Sequence, residues 1–527
     1  MNIDSAAAIT PQTAKTLPQL IRAAADTYGD ALAISLVGDT IPDDAMSFRE
    51  LDERSAELAR GLLARGVGKG SRIGFISGNG PFFALMFAAI ARIGAVAVPI
   101  STLIKANELV RVLRQSDVSG LIVQRCFLGN DYVARLCEAL PDLQDGPDLQ
   151  DGPDLQDGKS ADLRIARTPF LRWIVASEGD LPATILPMDH LTGAAASVSE
   201  ALLREAEAEV HTTDQLIEIY TSGSMALPKG VKHNHGPAVF RAHFMREISG
   251  IQRGKEYNCY LPMFWVGGFM MSLMPNWEAG ATTVCSERTL SSSTMAMGSV
   301  LPEESLKQMA NAPKPWWGLG MSETLGPYSY GDDFRAEGYP VCAPMDHWAD
   351  RYEVRIADDN NQQVADGEIG ELQIRGYPVT TGLHKIERSE HFTPDGFYRT
   401  GDMCLVDGTR VHFIGRGGDM IKTASSNVSP AEVEMEMQAL DGVHSAYVVG
   451  LPDQARGELV VAAVVPREGV TLDFAAIEAE LKRRMSSYKV PRAYVAITRE
   501  EVPMLHSNKV SKRLVAQLVE ERLGRAS

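Results

Sequence analysis

Cysteine is scarce in this chain: six residues in 527, at Cys126, Cys137, Cys259, Cys285, Cys342 and Cys404. No two of them make a C-x-x-C pair, so neither a structural zinc site nor a disulfide framework is indicated, and a reducing compartment fits. Positive charge is in deficit too. With 51 Lys+Arg against 68 Asp+Glu the formal net charge is −17, a surface that repels phosphate backbones and anionic lipid and argues against nucleic-acid or membrane-surface binding. Long apolar runs are missing. The most apolar stretch, Phe82 to Ile100, is broken by Arg92, Gly94 and Pro99, and it reads as a buried helix followed by a strand, not as a membrane span. The opening MNIDSAAAIT has no basic region followed by an apolar one, so no signal peptide is indicated and a cytoplasmic protein is expected. Two motifs are absent as well. Without G-x-x-x-x-G-K-[ST] there is no Walker-type phosphate loop, and without G-x-S-x-G a serine hydrolase has no evident nucleophile.

What remains is an ordinary balance of 45% apolar and 23% charged residues, enough chain for about three or four structural units. Ser47-Phe-Arg-Glu50 has the capping-box pattern, and Leu51, Leu58 and Leu62 then keep one helical face. Strand Arg72–Ile76 follows a glycine-rich turn. Phe82–Ala91 with Ala95–Ile100, and Ala106–Gln115 with Leu121–Gln124, repeat helix then strand. This alternation predicts α/β layers around a largely parallel sheet. Residues 141–158 are three copies of PDLQDG, too polar to bury much and expected to be an exposed loop insertion without chemistry. Near the end, Ser429-Pro430-Ala431-Glu432 starts a helix. Strands at Ala446–Gly450 and Leu459–Val465, a helix near Leu472–Arg484 and another after Ser511 complete a small α+β domain. The glycine run Gly415–Gly418 before it is the natural joint.

Five segments carry chemistry-bearing residues. Tyr220-Thr-Ser-Gly-Ser-Met-Ala-Leu-Pro-Lys-Gly230 follows an apolar strand. Its glycine-freed N–H groups, with the hydroxyls of Thr221, Ser222 and Ser224, suit a polyphosphate, and Lys229 supplies counter-charge. In Gly318-Leu-Gly-Met-Ser-Glu-Thr324 a hydroxyl and a carboxylate stand side by side in a glycine turn, suited to a phosphate oxygen and a Mg²⁺. The aspartate of Tyr398-Arg-Thr-Gly-Asp402 can accept both hydroxyls of a ribose. Gly415-Arg416 and Ser507-Asn508-Lys509 are the fourth and fifth. His233-x-His235 would share a face on a strand, but no third His, Asp or Glu cluster completes a metal site and core or loop histidines are commoner, so a metal hydrolase is not indicated.

The order and spacing of the five segments resemble the adenylate-forming (ANL) superfamily, which includes acyl-CoA synthetases, adenylation domains and luciferases. Its Y-T-S-G-S-T-G-x-P-K-G loop is similar to Tyr220–Gly230, its G-M-T-E to Gly320–Glu323, and its Y-R-T-G-D to Tyr398–Asp402. The G-R-x-D-D-x-I-K hinge is similar to Gly415–Lys422, and the closing P-x-x-x-x-x-K to Pro503–Lys509. The resemblance implies a large multi-layered α/β N-terminal domain, 1–415, and a small mobile α+β lid, 416–527. It implies ATP-dependent activation of a carboxylic acid through an acyl-adenylate, then transfer to CoA, with Mg²⁺ as cofactor. Lys509 becomes the mobile cation of adenylation, Glu323 a Mg²⁺ ligand and Ser322 the holder of the α-phosphate. Thr221, Ser222, Gly223, Ser224 and Lys229 manage the β- and γ-phosphates. Asp402 and Arg416 bind ribose, Gly298, Gly318 and Gly320 flank adenine, and Lys422 belongs to the nucleotide-binding set. Phe264, Trp265, Gly267 and Gly268 line an apolar acid pocket. The expected partners are a hydrophobic acid, ATP and CoA, without nucleic acid or integral membrane association, and a homodimer is compatible.

The chain also departs from the family pattern. Met225 and Ala226 replace a Thr and a Gly of the phosphate loop, and Leu319 stands where many members have an aromatic residue. Gly418 replaces a hinge Asp or Lys, Trp265 a frequent His, and Ala424-Ser425 the glycine pair of the thiol channel. Ser224 and Glu323 are 99 positions apart, closer than in relatives; the shortening falls between Cys285 and Ser293, in part of the acyl-pocket wall. These departures leave two alternatives: a non-CoA acceptor such as a carrier protein, or a non-catalytic nucleotide or acyl binder.

Overall fold

In the computed structural model the described residues are 9–145, 162–221, 228–287, 320–328, 341–344, 352–408, 410–418, 420–423, 426–453, 457–485, 489–504 and 510–524. They form two compact units. One holds the described residues up to 287 with Gly320–Pro327 and Tyr377–Arg388; the other holds those of Tyr328–Gly376 and Ser389–Ser527.

The first unit grows from the helix–strand alternation. Helix Phe48–Ala64 starts at Ser47, whose Oγ accepts the Glu50 N–H while the Glu50 carboxylate accepts the Ser47 N–H. It buries Leu51, Leu58 and Leu62. Among the described residues an eight-stranded sheet runs in the order Gly382–Leu383, Lys229–Asn234, Gln215–Thr221, Val96–Ile100, Arg72–Ile76, Gly120–Val123, Trp173–Ala176, Leu186–Pro187. The six strands from Gln215–Thr221 onward pair in parallel. The first three pair antiparallel, so the expected parallel sheet ends in a hairpin. Helix Pro81–Arg92 is buried almost throughout. Arg92, which breaks the apolar run in the sequence, is itself fully buried, with Glu207 at 2.6 Å and Asp52 at 2.7 Å. An ion pair of this kind holds a charge inside a core that would otherwise reject it.

In the first PDLQDG copy Pro141, Asp142 and Gln144 are exposed as expected, but the segment is not a plain loop. Asp142–Asp145 is a helical turn, Leu143 is buried, and its carbonyl accepts the Thr184 hydroxyl at 2.7 Å. One apolar side chain beside helix Tyr132–Ala139 is enough to fix that turn; the rest of the repeat lies outside the described residues.

The second unit contains an antiparallel sheet ordered Val341–Pro344, Arg410–Arg416, Tyr398–Asp407, Ile369–Arg375, Glu353–Ala357. A second sheet is built on strand Gly457–Pro466, which pairs antiparallel with Val443–Asp453 and parallel with Ala493–Ala496. Period-2 alternation splits its apolar residues between two cores. Val460, Ala462 and Val464 pack with Val433, Met437 and Leu481, and Val461, Ala463 and Val465 with Val515 and Val519. Ser429 caps helix Pro430–Gln438 as its sequence implied.

Candidate active site

The proposed phosphate loop is flanked by the hairpin of Gln215–Thr221 and Lys229–Asn234, in which Tyr220 faces Gly230 and Thr221 faces Lys229. Thr221 and Lys229 are both half-buried. Ser222, Gly223 and Ser224 lie outside the described residues, as do Met225 and Ala226.

The Ser322–Glu323 pair sits in a tight turn. Gly320-Met321 pairs with Gly326-Pro327 around Ser322–Thr324. A Cβ on Gly320 would stand 2.6 Å from the Pro327 Cα, so the hairpin admits only glycine there. The Thr324 hydroxyl accepts the Met321 N–H at 3.3 Å and lies 2.8 Å from the Gly326 carbonyl. Three neighbours then hold the turn. His233 Nε2 meets the Ser322 carbonyl at 2.7 Å, the Thr380 N–H donates to the Glu323 carbonyl at 2.7 Å, and Arg241 Nε donates to the Leu325 carbonyl at 3.4 Å. The Thr380 hydroxyl also donates to the Lys232 carbonyl. Ser322 and Glu323 are thereby fixed against the strand that begins at Lys229.

The structure parts His233 and His235, for which the sequence does not indicate a metal pair. His233 is on the strand, whereas His235 opens helix His235–Ile248 and its Nδ1 accepts the Leu17 N–H at 3.3 Å. Among the described residues no group of three metal-ligating side chains exists. Burial pushes His233 down to about 4 and His235 to about 3, so both are neutral at pH 7 and His233 donates through Nε2. The unfolded chain binds protons at these histidines near pH 6.5 and the folded chain refuses them. Stability is therefore fully present above about pH 6.5 and lost as pH falls toward 4, each group contributing on the order of a few kcal/mol. His233→Gln keeps a donor for Ser322 without a titrating ring. Its melting temperature should fall less between pH 7 and 5 than that of the wild type; an equal fall would remove His233 from the account.

In the second unit, Asp402 and Arg416 face each other across strands Tyr398–Asp407 and Arg410–Arg416. Arg416 Nε lies 2.8 Å from Asp402 Oδ1, and its Nη1 donates to the Thr400 carbonyl at 2.6 Å. The Asp402 carboxylate is buried and the Arg416 side chain half exposed. Tyr328 is buried beside them; burial pushes its phenol well up, and the Asp402 carboxylate adds to this. Gly401 has φ +72°, a left-handed conformation that explains the glycine in this motif. Its N–H donates to Glu371 at 3.0 Å, and Glu371 also pairs with Arg399 at 3.5 Å. The sequence reading missed Glu371 because a lone Glu in a strand carries no local signal. Lys422 is on strand Ile421–Thr423, and its side chain lies outside the described residues.

The candidate acid-pocket residues begin a short helix. Phe264 is buried, Trp265 half-buried, and their rings meet edge-on at 5.4 Å. A Cβ on Gly268 would lie 2.2 Å from the Pro262 carbonyl oxygen, so close approach of backbone demands glycine there, whereas one on Gly267 would meet only the tip of the Leu261 side chain at 2.6 Å. Buried Asn79, also missed from sequence, clamps this segment. Its Nδ2 donates to the Leu261 carbonyl and its Oδ1 accepts the Met263 N–H, both at 2.8 Å. The only hint was its place in a Ser-Gly-Asn-Gly turn after a strand. Cys126, Cys137, Cys259, Cys285 and Cys404 are free thiols. Gly298, Gly318 and Lys509 lie outside the described residues, with Leu319, Ala424 and Ser425. No helix among the described residues is long and apolar enough to cross a membrane.

Residues 21–297 match the family profile described as AMP-binding enzyme, and 432–509 that described as AMP-binding enzyme C-terminal domain. A mitochondrial medium-chain acyl-CoA ligase of Mus musculus is 26% identical over 96% of this chain and 88% of its own length. A feruloyl-CoA synthase of Amycolatopsis sp is 27% identical over 89% of this chain and 93% of its own. Among solved structures, ATP-bound MatB from Rhodopseudomonas palustris superposes with a TM-score of 0.72 at 21% identity, covering 96% of this chain and 99% of that one. That likeness carries the fold: a mixed α/β architecture with a separate C-terminal domain.

Proposed function

The chain belongs to the AMP-binding enzyme family, and from that premise we propose that it is an AMP-forming ligase joining a hydrophobic carboxylic acid to CoA. The observation that carries the reading is the hairpin. Thr221 and Lys229 face each other where a polyphosphate loop leaves and rejoins the sheet, and His233 on the same hairpin holds the Ser322–Glu323 turn. CoA as acceptor is favoured by the relatives' names, an acyl-CoA ligase and a feruloyl-CoA synthase.

In the first half-reaction a carboxylate oxygen of the acid attacks the α-phosphorus of ATP, and pyrophosphate leaves. In the second, the CoA thiol attacks the acyl carbon and AMP leaves. Two anions meet in the first step, so cations and hydrogen-bond donors are needed where charge develops. Thr221, Ser222, Gly223, Ser224 and Lys229 serve the β- and γ-phosphates, Ser322 the α-phosphate, and Lys509 the attacking and bridging oxygens. Asp402 and Arg416 hold ribose; Gly298, Gly318 and Gly320 border adenine; Lys422 stands with the nucleotide set. Phe264, Trp265, Gly267 and Gly268 shape the acid pocket. Residues 1–415 form the body and 416–527 the lid that exchanges Lys509 for the thiol between steps.

Glu323 fits a Mg²⁺ site. It is a carboxylate in a fixed turn, without a larger acidic cluster among the described residues, and Mg²⁺ needs only one or two protein carboxylates beside phosphate and water oxygens. When bound, the ion neutralises charge on the phosphate oxygens.

The test is a pyrophosphate-release screen with ATP, Mg²⁺ and acids graded in length and ring content, followed by thioester assay with CoA. Release with apolar acids and thioester formation are expected. Release without thioester would replace CoA by another acceptor, and no release with any acid would reject the activity.

A further inference from the structure

One buried cluster in the first unit is unused by the chemistry above. Glu218 is fully buried in strand Gln215–Thr221, three residues before Thr221. The Tyr220 hydroxyl donates to its Oε1 at 2.6 Å. Gln215 Nε2 and Arg72 Nε donate to its Oε2 at 3.2 and 3.3 Å. The ring of His384 lies 3.6 Å from the same Oε2, 3.4 Å from Arg72 Nη2 and 3.2 Å from Asp117 Oδ2, and Lys385 pairs with the other Asp117 oxygen at 2.6 Å. The charged and titratable groups facing Glu218 are thus Arg72 from the parallel part of the sheet, the His384 ring, which burial keeps from protonating, and the Asp117–Lys385 pair beside that ring.

Gly230 makes this arrangement possible. It faces Tyr220 in the hairpin, and a Cβ there would lie 2.8 Å from both Glu218 Oε1 and the Tyr220 hydroxyl oxygen. The Gly230 carbonyl accepts the His384 N–H at 2.7 Å. The last glycine of the loop motif is therefore the floor on which a carboxylate–phenol pair rests. An ionised carboxylate without hydrogen-bond partners is costly to bury, and a satisfied one rigidifies its surroundings. Here two donors, Gln215 and Tyr220, come from Glu218's own strand and the third, Arg72, from strand Arg72–Ile76 of the same sheet.

We propose that Glu218 and Tyr220, seated on Gly230, form a clasp that fixes Thr221 opposite Lys229, making Glu218 a positioning residue for the triphosphate of ATP. The proposal rests on the ligase reading through Thr221 and Lys229. Its consequence is specific: loss of the clasp weakens ATP use and leaves acid use alone, because the acid-pocket residues are anchored separately by Asn79. It also accounts for Tyr220 beyond its place in the motif, as a donor whose ionisation is pushed up by burial first and by Glu218 next.

The experiment compares wild type with Tyr220→Phe, Glu218→Gln, Glu218→Leu and Gly230→Ala in pyrophosphate release, varying ATP and acid separately, with melting temperature measured without ATP. Tyr220→Phe removes one hydroxyl and keeps the ring, so it remains folded if Glu218→Leu does not. Losing a hydrogen bond to a charged group corresponds to about a tenfold effect. Tyr220→Phe and Gly230→Ala should raise the KM for ATP about tenfold with the KM for acid unchanged. Glu218→Gln, which keeps an acceptor for Tyr220, should retain most of the ATP affinity that Glu218→Leu loses. A lowered melting temperature with both KM values unchanged would overturn the clasp while leaving the ligase reading intact. Absence of ATP binding by wild-type protein in calorimetry would overturn both.

Discussion

Lys509→Ala should lower the rate of acyl-adenylate formation by about 10²–10³-fold, the usual cost of removing one group that stabilises developing charge in a transition state. The same variant, supplied with synthetic acyl-adenylate and CoA, should form thioester at a rate within a few-fold of wild type. The asymmetry follows from charge. Adenylation brings a carboxylate to a triphosphate and needs a cation between them, whereas thiolysis expels AMP from a neutral acyl carbon and no longer has that requirement. Equal losses in the two assays would assign Lys509 a general structural role and withdraw the lid exchange from the mechanism. Lys509→Arg sharpens the test, because it keeps the charge while changing the reach and fork of the donor.

Asp402→Ala should raise the KM for ATP by roughly 10²-fold or more, since a carboxylate accepting from two ribose hydroxyls forms two charge-assisted hydrogen bonds of about 1.5–3 kcal/mol each. Wild type should also prefer ATP to 2′-deoxy-ATP by about tenfold, and the variant should lose that preference. The deoxy substrate separates a ribose contact from simple loosening of the fold. Arg416 would lose its partner at 2.8 Å in the variant but its half-exposed guanidinium can turn to water, so the stability loss should come from the buried Tyr328 phenol left without the Asp402 carboxylate. If the variant still discriminates against the deoxy nucleotide, Asp402 is not the ribose acceptor.

Local elements were legible because local rules set them. The Ser47–Glu50 cap, the leucine face after it and the parallel strand series at 72–76, 96–100 and 120–123 all formed as periodicity and capping chemistry require. Motif glycines were legible as positions, but their reasons were not. Gly320 is held by the facing arm of its own hairpin, Gly268 by the backbone of Pro262–Met263 and Gly230 by side chains of the facing strand, and Gly401 by its positive φ. His233-x-His235 shows the limit of period-2 reasoning. The strand ends at Asn234, so the second histidine turns into a helix and the two rings part.

The α/β class, the small C-terminal α+β element set and the family are readable from the chain alone, because these depend on short-range pattern and on motif order along it. What supports those motifs emerges in three dimensions. Asn79 beneath the pocket segment, His233 and Thr380 beneath Ser322–Glu323, Glu371 beneath Gly401 and Glu218 beneath Tyr220 act across separations of up to 184 residues. A single buried polar side chain has no periodicity of its own. Its role exists only when folding strips water from it and leaves one particular backbone group or phenol as its partner.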